Sequence, residues 1–221
     1  MPCPFEAVIF DNDGLLLDTE TAWTRAEQDL FERYGREFTM EHKRAMLGNS
    51  KGVAEAKLES MLGLPGQGAR LLAELEELVM EEALAGVPPR PGSRNLLNAL
   101  LDADTKVGLA SNSSRLFVER TLEVSGIPAS SFAVLITADD VAHPKPAPDI
   151  YLAACSGLDA DPARSAALED SQPGISSARA AGLFVIGVPY FEDQTLEGAS
   201  LMASSLADPR VGAALGLAPE R

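Results

Sequence analysis

The chain has 221 residues, of which 46% are hydrophobic and 23% are charged, so disorder along the whole chain and a coiled coil are both excluded as its main structure. No apolar run reaches the roughly 18 residues that a membrane-spanning helix requires, which excludes an integral membrane protein of the helical type. With 18 basic and 33 acidic residues the formal net charge is −15, and a chain this acidic repels phosphate backbones, so we expect no nucleic-acid partner.

Short apolar runs mark the predicted strands. The first, Ala7-Val8-Ile9-Phe10, is partly β-branched and stops at Asp11-Asn12-Asp13-Gly14, which is typical of a buried strand that ends in a turn. Comparable runs follow later in the chain, at residues 106–110, 132–137, 165–168 and 183–188.

Helical stretches separate these runs. Ser113 or Ser114 is placed to cap a helix that ends near Gly126. Pro148 and Pro173 suit the first turns of two further helices. Strands that alternate with helices in this way predict an α/β fold with a Rossmann-like parallel sheet, covered by helices on both faces.

A long helical insert interrupts this alternation after the first strand. Apolar residues recur there at steps of three and four, as in Trp23, Ala26 and Leu30. The chain returns to the sheet through Val87-Pro88-Pro89-Arg90-Pro91-Gly92, a stiff connection rich in proline. An insert with its own apolar faces is either a moving lid or a rigid subdomain, and the sequence leaves both open.

These patterns predict the domain organisation. We expect residues 1–18 and 90–221 to form a Rossmann-like catalytic core and residues 19–89 to form an all-helical cap. The tail after Asp208 is rich in alanine, glycine and proline, so we expect it to be loosely held.

The strongest chemical signal is the acidic motif Asp11-Asn12-Asp13-Gly14. Ligands of open parallel sheets bind beyond the carboxyl ends of the strands, and Gly14 permits a turn that brings both carboxylates to one site. A helix–loop–helix calcium site is excluded, because Leu15 stands at the fifth loop position and Ala22 at the twelfth. An acidic turn without function and a nucleophile paired with a general acid/base both remain open.

A second acidic pair, Glu169-Asp170, also follows a predicted strand. An acidic helix cap explains either cluster singly, but two clusters at one sheet edge concentrate negative charge that a cation must neutralise. The candidate metal ligands are hard oxygens without a nearby histidine or cysteine, and they belong to Asp11, Asp13, Glu169 and Asp170. We therefore predict Mg²⁺ as the cofactor.

The sequence also provides groups suited to an anionic substrate. Ser111-Asn112 follows a predicted strand and precedes a helix, an arrangement that suits phosphate but is also a common helix cap. Lys145 is flanked by Pro144 and Pro146, which fix the backbone around it. It is either a preorganised anion ligand or an exposed loop lysine.

In combination these residues resemble the motifs of the haloacid dehalogenase superfamily, whose members are aspartate-nucleophile hydrolases. The resemblance runs from the first strand to the helix after Asp170, and its four motifs occur in the expected order: Asp-x-Asp-Gly at 11–14, Ser111, Lys145 and Glu169-Asp170. The helical insert resembles the small cap of the phosphatase and phosphomutase branch. Each motif is weak alone, whereas the four together are highly specific.

The resemblance implies a role for each motif residue. Asp11 would attack phosphorus and form an aspartyl-phosphate, and Asp13 would protonate the leaving oxygen and then activate water. Ser111 and Lys145 would hold the transferring phosphoryl group. Magnesium would be bound by Asp11, the backbone carbonyl of Asp13 and Asp170, with Glu169 as a direct ligand or behind one.

The resemblance also narrows the choice of reaction among those that members of the superfamily catalyse. Dehalogenases and phosphonate hydrolases of the superfamily lack the second aspartate, which is present here as Asp13. Mutase-like members carry a histidine where this chain has Trp23, and an indole cannot relay a proton. We therefore predict a phosphomonoester hydrolase for a small phosphorylated metabolite, a sugar phosphate, with a β-phosphoglucomutase-type mutase as the alternative.

The predicted substrate-binding residues are Asn112, Glu20, Trp23 and Lys51, and Trp23 also has the spacing of a helix core residue.

Two functions outside this class are weaker. Gly48-x-Ser50-x-Gly52 matches the nucleophile elbow of serine esterases, but that elbow must follow a buried strand and the preceding segment is charged and helix-like. We interpret Ser50 as a helix cap. A non-enzymatic binding module would not explain the motifs at the strand ends.

Two features of the sequence, the cysteines and the beginning of the chain, concern the cellular compartment in which we expect the protein. Cys3 and Cys155 are too few and too far apart for a disulfide framework or a zinc site. No basic region followed by an apolar stretch is visible at the beginning, so we expect no signal peptide and a cytoplasmic location. The expected partner is a small phosphorylated metabolite, without a membrane, and the expected assembly is a monomer or weak homodimer.

Overall fold

The computed structural model describes residues 3–47 and 49–217, and in these ranges six strands form one parallel sheet. The strands are β1 (Ala7–Phe10), β2 (Lys106–Ser111), β3 (Val134–Thr137), β4 (Ser165–Glu169), β5 (Phe184–Gly187) and β6 (Leu201–Met202). They are ordered β3-β2-β1-β4-β5-β6, and every neighbouring pair is parallel.

Nine α-helices lie within the same described ranges. They are α1 (Thr19–Arg33), α2 (Met40–Met46), α3 (Lys51–Leu62), α4 (Gly68–Leu84), α5 (Ser93–Asp102), α6 (Arg115–Ser125), α7 (Asp149–Gly157), α8 (Gln172–Ala180) and α9 (Pro209–Ala214). Short 3₁₀ turns occur at Ala129–Ser131, Ala138–Asp140 and Pro162–Arg164. The predicted α/β class with a Rossmann-like parallel sheet is confirmed.

The central strand β1 sets the position of the functional edge. All four of its residues are fully buried, which explains why it appears in the sequence as an unbroken apolar run. Phe10 lies level with Leu109 of β2 and with Leu168 of β4. The segments that follow these three strands therefore leave the sheet at one edge, where open parallel sheets bind ligands.

The insert after β1 is helical, as the sequence predicts, and it contains α1 to α4. Helices α1 and α3 both pack on α4, and Leu30, Leu58, Leu71 and Leu75 are fully buried there. Each buried leucine contributes roughly 1.5–3 kcal/mol of hydrophobic stabilisation. These leucines belong to the same apolar cluster as Val8 and Phe10 of β1.

The two segments that join this insert to the sheet pair with each other. The Asp18 amide donates to the Pro88 carbonyl at 2.9 Å, and the Arg90 amide donates to the Leu16 carbonyl at 3.0 Å. Leu17 and Pro89 form an antiparallel bridge between them. The four inserted helices are thus attached through a short, hydrogen-bonded neck.

The expectation of a loosely held tail after Asp208 is wrong for residues 209–217. This segment forms α9, whose N-terminus is capped by the Asp208 side chain, and Val211 and Leu215 are fully buried. Two apolar anchors are enough to hold a short helix on the core, despite the small residues around them. The remaining residues of the predicted tail, 218–221, lie outside the described ranges.

The region around Ser50 does not have the geometry of an esterase elbow. Helix α2, and not a strand, precedes it, and Gly48 of the pattern lies outside the described residues. Ser50 occupies the N-cap position of α3, as predicted, although its hydroxyl accepts no capping hydrogen bond. Among the described helices, none combines the length and the apolar character that crossing a bilayer requires.

Candidate active site

Three carboxylates meet at the functional edge of the sheet. Asp11 follows β1, Glu169 ends β4, and Asp170 is the next residue. Each offers an oxygen within 4.8 Å of the other two, and all three side chains are buried. The two acidic clusters of the sequence therefore form a single site.

Lys145 lies between these carboxylates. Its ammonium donates to Asp11 Oδ1 at 2.5 Å, to Glu169 Oε1 at 2.7 Å and to the Ala110 carbonyl at 2.8 Å. Burial opposes its charge, but Asp11 and Glu169 outweigh this effect and raise the pKa of Lys145 above its ordinary value. Lys145 is a charged residue inside the site, and the alternative of an exposed loop lysine is excluded.

Asn112 holds the backbone of Lys145. Its amide nitrogen donates to the Lys145 carbonyl at 3.1 Å, and its Oδ1 accepts from the Lys145 amide at 2.8 Å. This two-point contact engages both ends of the Asn112 amide. Asn112, which the sequence predicts to bind substrate, thus binds the loop that carries Lys145, and it also lines the adjoining cavity.

Glu169 is enclosed by protein groups. Besides Lys145, its Oε1 accepts from the Tyr151 hydroxyl at 2.6 Å, and its Oε2 accepts from Ser171 Oγ at 3.3 Å. A Cβ at Gly174 would come within 2.0 Å of the Glu169 carboxyl, so only glycine leaves room for it. The carboxylates of Asp11 and Asp170 therefore have fewer protein contacts than that of Glu169.

Two hydroxyls orient Asp13. Ser111 Oγ donates to its Oδ2 at 2.8 Å, and Ser113 Oγ donates to the same oxygen at 2.9 Å. The Ser113 amide in turn donates to Ser111 Oγ at 3.0 Å. The helix cap is Ser114, whose hydroxyl accepts from an amide in the first turn of α6, so Ser113 is left to contact the site.

Gly14 makes room for Asp170. Its φ of +79° lies in the left-handed region, which glycine adopts without a steric cost. A Cβ built there would lie 2.2 Å from Asp170 Oδ2. The glycine of the acidic motif is thus required twice, for the turn and for the close approach of the second acidic cluster.

The site residues fit a hard divalent cation. Burial raises the pKa of Asp11 well above its ordinary value, against the opposing charge of Lys145. Burial, followed by the charges of Asp11 and Glu169, does the same for Asp170. Buried carboxylates that are this crowded gain most from a cation, and an all-oxygen donor set is the one that Mg²⁺ prefers.

A cavity of about 690 Å³ extends from these carboxylates toward the inserted helices. The predicted cap residues Glu20, Trp23 and Lys51 all line it, together with Asp13 and Lys145. Trp23 stacks at a tilt against Phe117, with ring centroids 6.1 Å apart. The cap residues that the sequence predicts to bind substrate therefore line one cavity, although they do not all lie in the same helix.

Tyr151 and Ser113 are functional-site residues that the sequence did not assign to the site. Tyr151 lies in the helix predicted after Pro148, to which no site residue is assigned, and Ser113 is predicted only as one of two candidate helix caps. Their partners, Glu169 and Asp13, are distant in the chain. Neither lies in a motif, so only the three-dimensional pairing identifies them.

Comparison with known proteins agrees with this geometry. Residues 8–188 match a family model described as haloacid dehalogenase-like hydrolase. β-Phosphoglucomutase of Bacillus subtilis is 32% identical over 92% of this chain and 91% of its own. Hexitol phosphatase B of Escherichia coli is 32% identical over 85% of each chain.

A solved structure shows the same fold. CbbY from Rhodobacter sphaeroides, determined with phosphate, has a TM-score of 0.82 and 31% identity, and the match covers 96% of this chain and 100% of that one. A variant of CbbY was solved with xylulose 1,5-bisphosphate. With the family match covering most of the chain and the acidic cluster at the expected edge, this protein belongs to the haloacid dehalogenase-like hydrolases.

Proposed function

We propose that this hydrolase is a Mg²⁺-dependent phosphomonoester hydrolase that acts on a small phosphorylated metabolite, a sugar phosphate, through an aspartyl-phosphate on Asp11. The observation that carries the proposal is the position of Asp11, buried at the end of β1, bonded to Lys145 and grouped with Asp170. The names of the relatives, a hexitol phosphatase and a phosphoglucomutase, support the substrate class.

Asp11 is the proposed nucleophile. An ionised carboxylate attacks phosphorus without prior proton removal, and a covalent intermediate divides one difficult displacement into two. Lys145 favours the ionised form of Asp11 through its ion pair, although burial opposes this, and it supplies positive charge for the phosphoryl oxygens. Ser111 provides a hydroxyl at the same edge of the sheet.

Asp13 is the proposed general acid and base. Ser111 and Ser113 both donate to its Oδ2, which fixes the plane of the carboxyl group. Its Oδ1 has one long contact, from Asn12 Nδ2 at 3.3 Å. A carboxyl group held in this way would give its proton to the leaving oxygen and then take one from water.

Magnesium would be held by Asp11, Asp170 and the Asp13 carbonyl, with Glu169 direct or behind them, and when bound it would neutralise charge on the phosphoryl oxygens. In the structure the Glu169 oxygens contact Lys145, Tyr151 and Ser171. We therefore assign Glu169 chiefly to positioning Lys145.

We also propose the division into a core, residues 1–18 and 90–221, and a cap, residues 19–89. The neck at Leu16–Asp18 and Pro88–Arg90, together with the packing of α1 and α3 on α4, supports it. A cytoplasmic location is proposed on the free thiols of Cys3 and Cys155, which suit a reducing compartment.

Hydrolysis of p-nitrophenyl phosphate tests the proposal. We expect turnover with Mg²⁺, loss of turnover with a chelator, and a fall of at least about 10³-fold in the Asp11→Asn variant. Asp29→Asn, an exposed change in α1, is the matched control and should retain activity. Turnover that persists in Asp11→Asn, or in the chelator, would contradict the proposal.

The mutase is the second candidate, favoured by the 32% identity to β-phosphoglucomutase. Trp23 argues against it, since its indole packs on Phe117 and cannot relay a proton. Incubation with β-glucose 1-phosphate and a bisphosphate primer should release inorganic phosphate. A clean yield of glucose 6-phosphate would favour the mutase.

A further inference from the structure

A buried ion cluster lies in the wall of the cavity and begins beside the acidic site, where Glu20 and Asp170 both lie close to Gly14. Lys43 Nζ lies 2.5 Å from Glu20 Oε2 and 3.2 Å from Glu27 Oε2. Lys43 and Glu27 are each only 2% exposed and Glu20 is 7% exposed, yet all three line the cavity. We call Glu20, Lys43 and Glu27 the cap triad.

The cap triad is not explained by stability. Removing three charges from water costs several kcal/mol per ion, and apolar residues of similar size would stabilise the same position at least as well. Moreover, the buried Glu27 Oε2 has no hydrogen bond of standard geometry and is paired only loosely with the Lys43 ammonium, at 3.2 Å. A loosely paired carboxylate in the wall of a cavity is a place where a ligand donor would bind.

The remaining wall of the cavity combines apolar and acidic groups. Trp23 and Phe117, whose ring planes are inclined at 60°, form an aromatic surface in the same cavity. The acidic residues of α4 that line the cavity are exposed at its mouth, and they are Glu76, Glu77 and Glu81. Among the described lining residues outside the sheet edge, Lys51 is the one cation besides Lys43.

This charge balance disfavours a second anion on the substrate. With Glu20 ionised, the cap triad carries no net positive charge, whether Glu27 is protonated or not. Lys51 would then stand alone against the three glutamates of α4. A distal phosphate or carboxylate would lose its hydration in this cavity without gaining an adequate cationic partner.

We propose that the cap triad binds the hydroxyl groups of an uncharged polyol leaving group, and that the enzyme selects phosphomonoesters that carry no second anionic group. The carboxylates of Glu20 and Glu27 accept from the hydroxyls, Lys43 donates to a hydroxyl oxygen, and the Trp23 ring covers the apolar face of the carbon chain. This inference rests on the proposed hydrolase function.

The proposal separates this chain from a relative with the same fold. The CbbY variant was solved with a sugar bisphosphate, a ligand that has a second phosphate. A mutase must likewise bind a bisphosphate in either direction. Both activities require a distal cationic site, whereas the cavity described here has an acidic mouth.

A substrate panel tests the selectivity of the parent enzyme without any variant. With Mg²⁺ present, we expect kcat/KM for sorbitol 6-phosphate to exceed that for fructose 1,6-bisphosphate and for 2-phosphoglycolate by at least about tenfold. Comparable or higher values for either doubly anionic substrate, with p-nitrophenyl phosphate still hydrolysed, would overturn this inference alone. If no phosphomonoester, p-nitrophenyl phosphate included, is hydrolysed, the proposed function itself fails.

The Glu27→Gln variant tests the triad directly, because it preserves shape and removes one carboxylate. We expect the ratio of kcat/KM for sorbitol 6-phosphate to that for p-nitrophenyl phosphate to fall at least about tenfold. Glu32→Gln, an exposed change in the same helix, should leave the ratio within about twofold of the parent. An unchanged ratio in a folded Glu27→Gln protein would overturn the assignment, and the substrate panel decides the case if this variant does not fold.

Discussion

At the scale of single residues, the site depends on close contacts that leave no room for an added atom. Gly14→Ala would place a Cβ 2.2 Å from Asp170 Oδ2 and force a left-handed alanine. We expect activity to fall at least about 100-fold, because Asp170 must move away from Asp11. Steady-state kinetics at saturating Mg²⁺ measures this loss.

A second glycine provides the control for Gly14→Ala. Gly66 has nearly the same backbone angle, with φ of +75°, and an added Cβ there meets nothing within 4 Å. Gly66→Ala should therefore cost about 1 kcal/mol of stability and leave activity intact. Equal losses of activity in both variants would show that the backbone angle, and not the contact with Asp170, matters.

Tyr151 is a positioning residue in our account, because its hydroxyl binds Glu169, which in turn binds Lys145. Tyr151→Phe leaves Glu169 Oε1 with one fewer donor in a fully buried position. We expect a loss of about 1–3 kcal/mol in the free energy of unfolding and a fall in kcat with a smaller change in KM. Denaturant titration and steady-state kinetics measure the two effects.

Tyr34→Phe is the matched change for Tyr151→Phe. Its hydroxyl also donates to a carboxylate, Glu74 Oε2 at 2.7 Å, but this pair is only partly buried and lies in the inserted helices. We expect a smaller loss of stability and an unchanged kcat. A kcat that falls equally in both variants would remove Tyr151 from the site.

At the scale of elements, the cap triad joins α1 to α2 and makes their packing depend on pH. Burial raises the pKa of Glu27 from 4.5 to about 7, although the charge of Lys43 opposes this. The folded state then holds a proton that the unfolded state releases. The contribution of the Glu27 carboxyl to the free energy of unfolding is therefore fully present below pH 4.5 and is lost as the pH rises to about 7.

Glu27→Gln removes this titration. Relative to the parent, its free energy of unfolding should increase as the pH rises through that window, by a total on the order of 3 kcal/mol. Denaturant titrations of both proteins at several pH values measure the difference. A difference that does not vary with pH would contradict the raised pKa.

Elements differ in how clearly the sequence predicts them. The five predicted strand runs overlap β1 to β5 and end one residue before β2 and β4 do, because strands buried inside a parallel sheet form apolar runs. Strand β6 has two residues at the sheet edge and produces no such run. Helix α2 is short and mostly polar, so its Thr39 capping box gives a clearer signal than its periodicity.

At the scale of the whole molecule, the motifs predict which distant segments meet but not how they are supported. Asp11 and Asp170 could be assigned to one site, because strand ends converge at one edge of a parallel sheet, whereas the resemblance to the superfamily assigned Lys145 to it. The contacts of Tyr151 and Lys43 could not be predicted, since the first depends on how α7 packs on the sheet and the second on how α2 packs on α1. The same limit applies to α9, which two buried residues hold in place.

Trapping of the phosphoenzyme tests the central claim most directly. In the Asp13→Asn variant, p-nitrophenyl phosphate should still phosphorylate Asp11, because its leaving group needs little protonation, whereas water activation is lost. After an acid quench, peptide mass spectrometry should find one phosphoryl group on Asp11, and none in an Asp11→Asn protein. A phosphoryl group on another residue, or its absence from Asp11 while a stoichiometric burst of nitrophenol is released, would contradict the account.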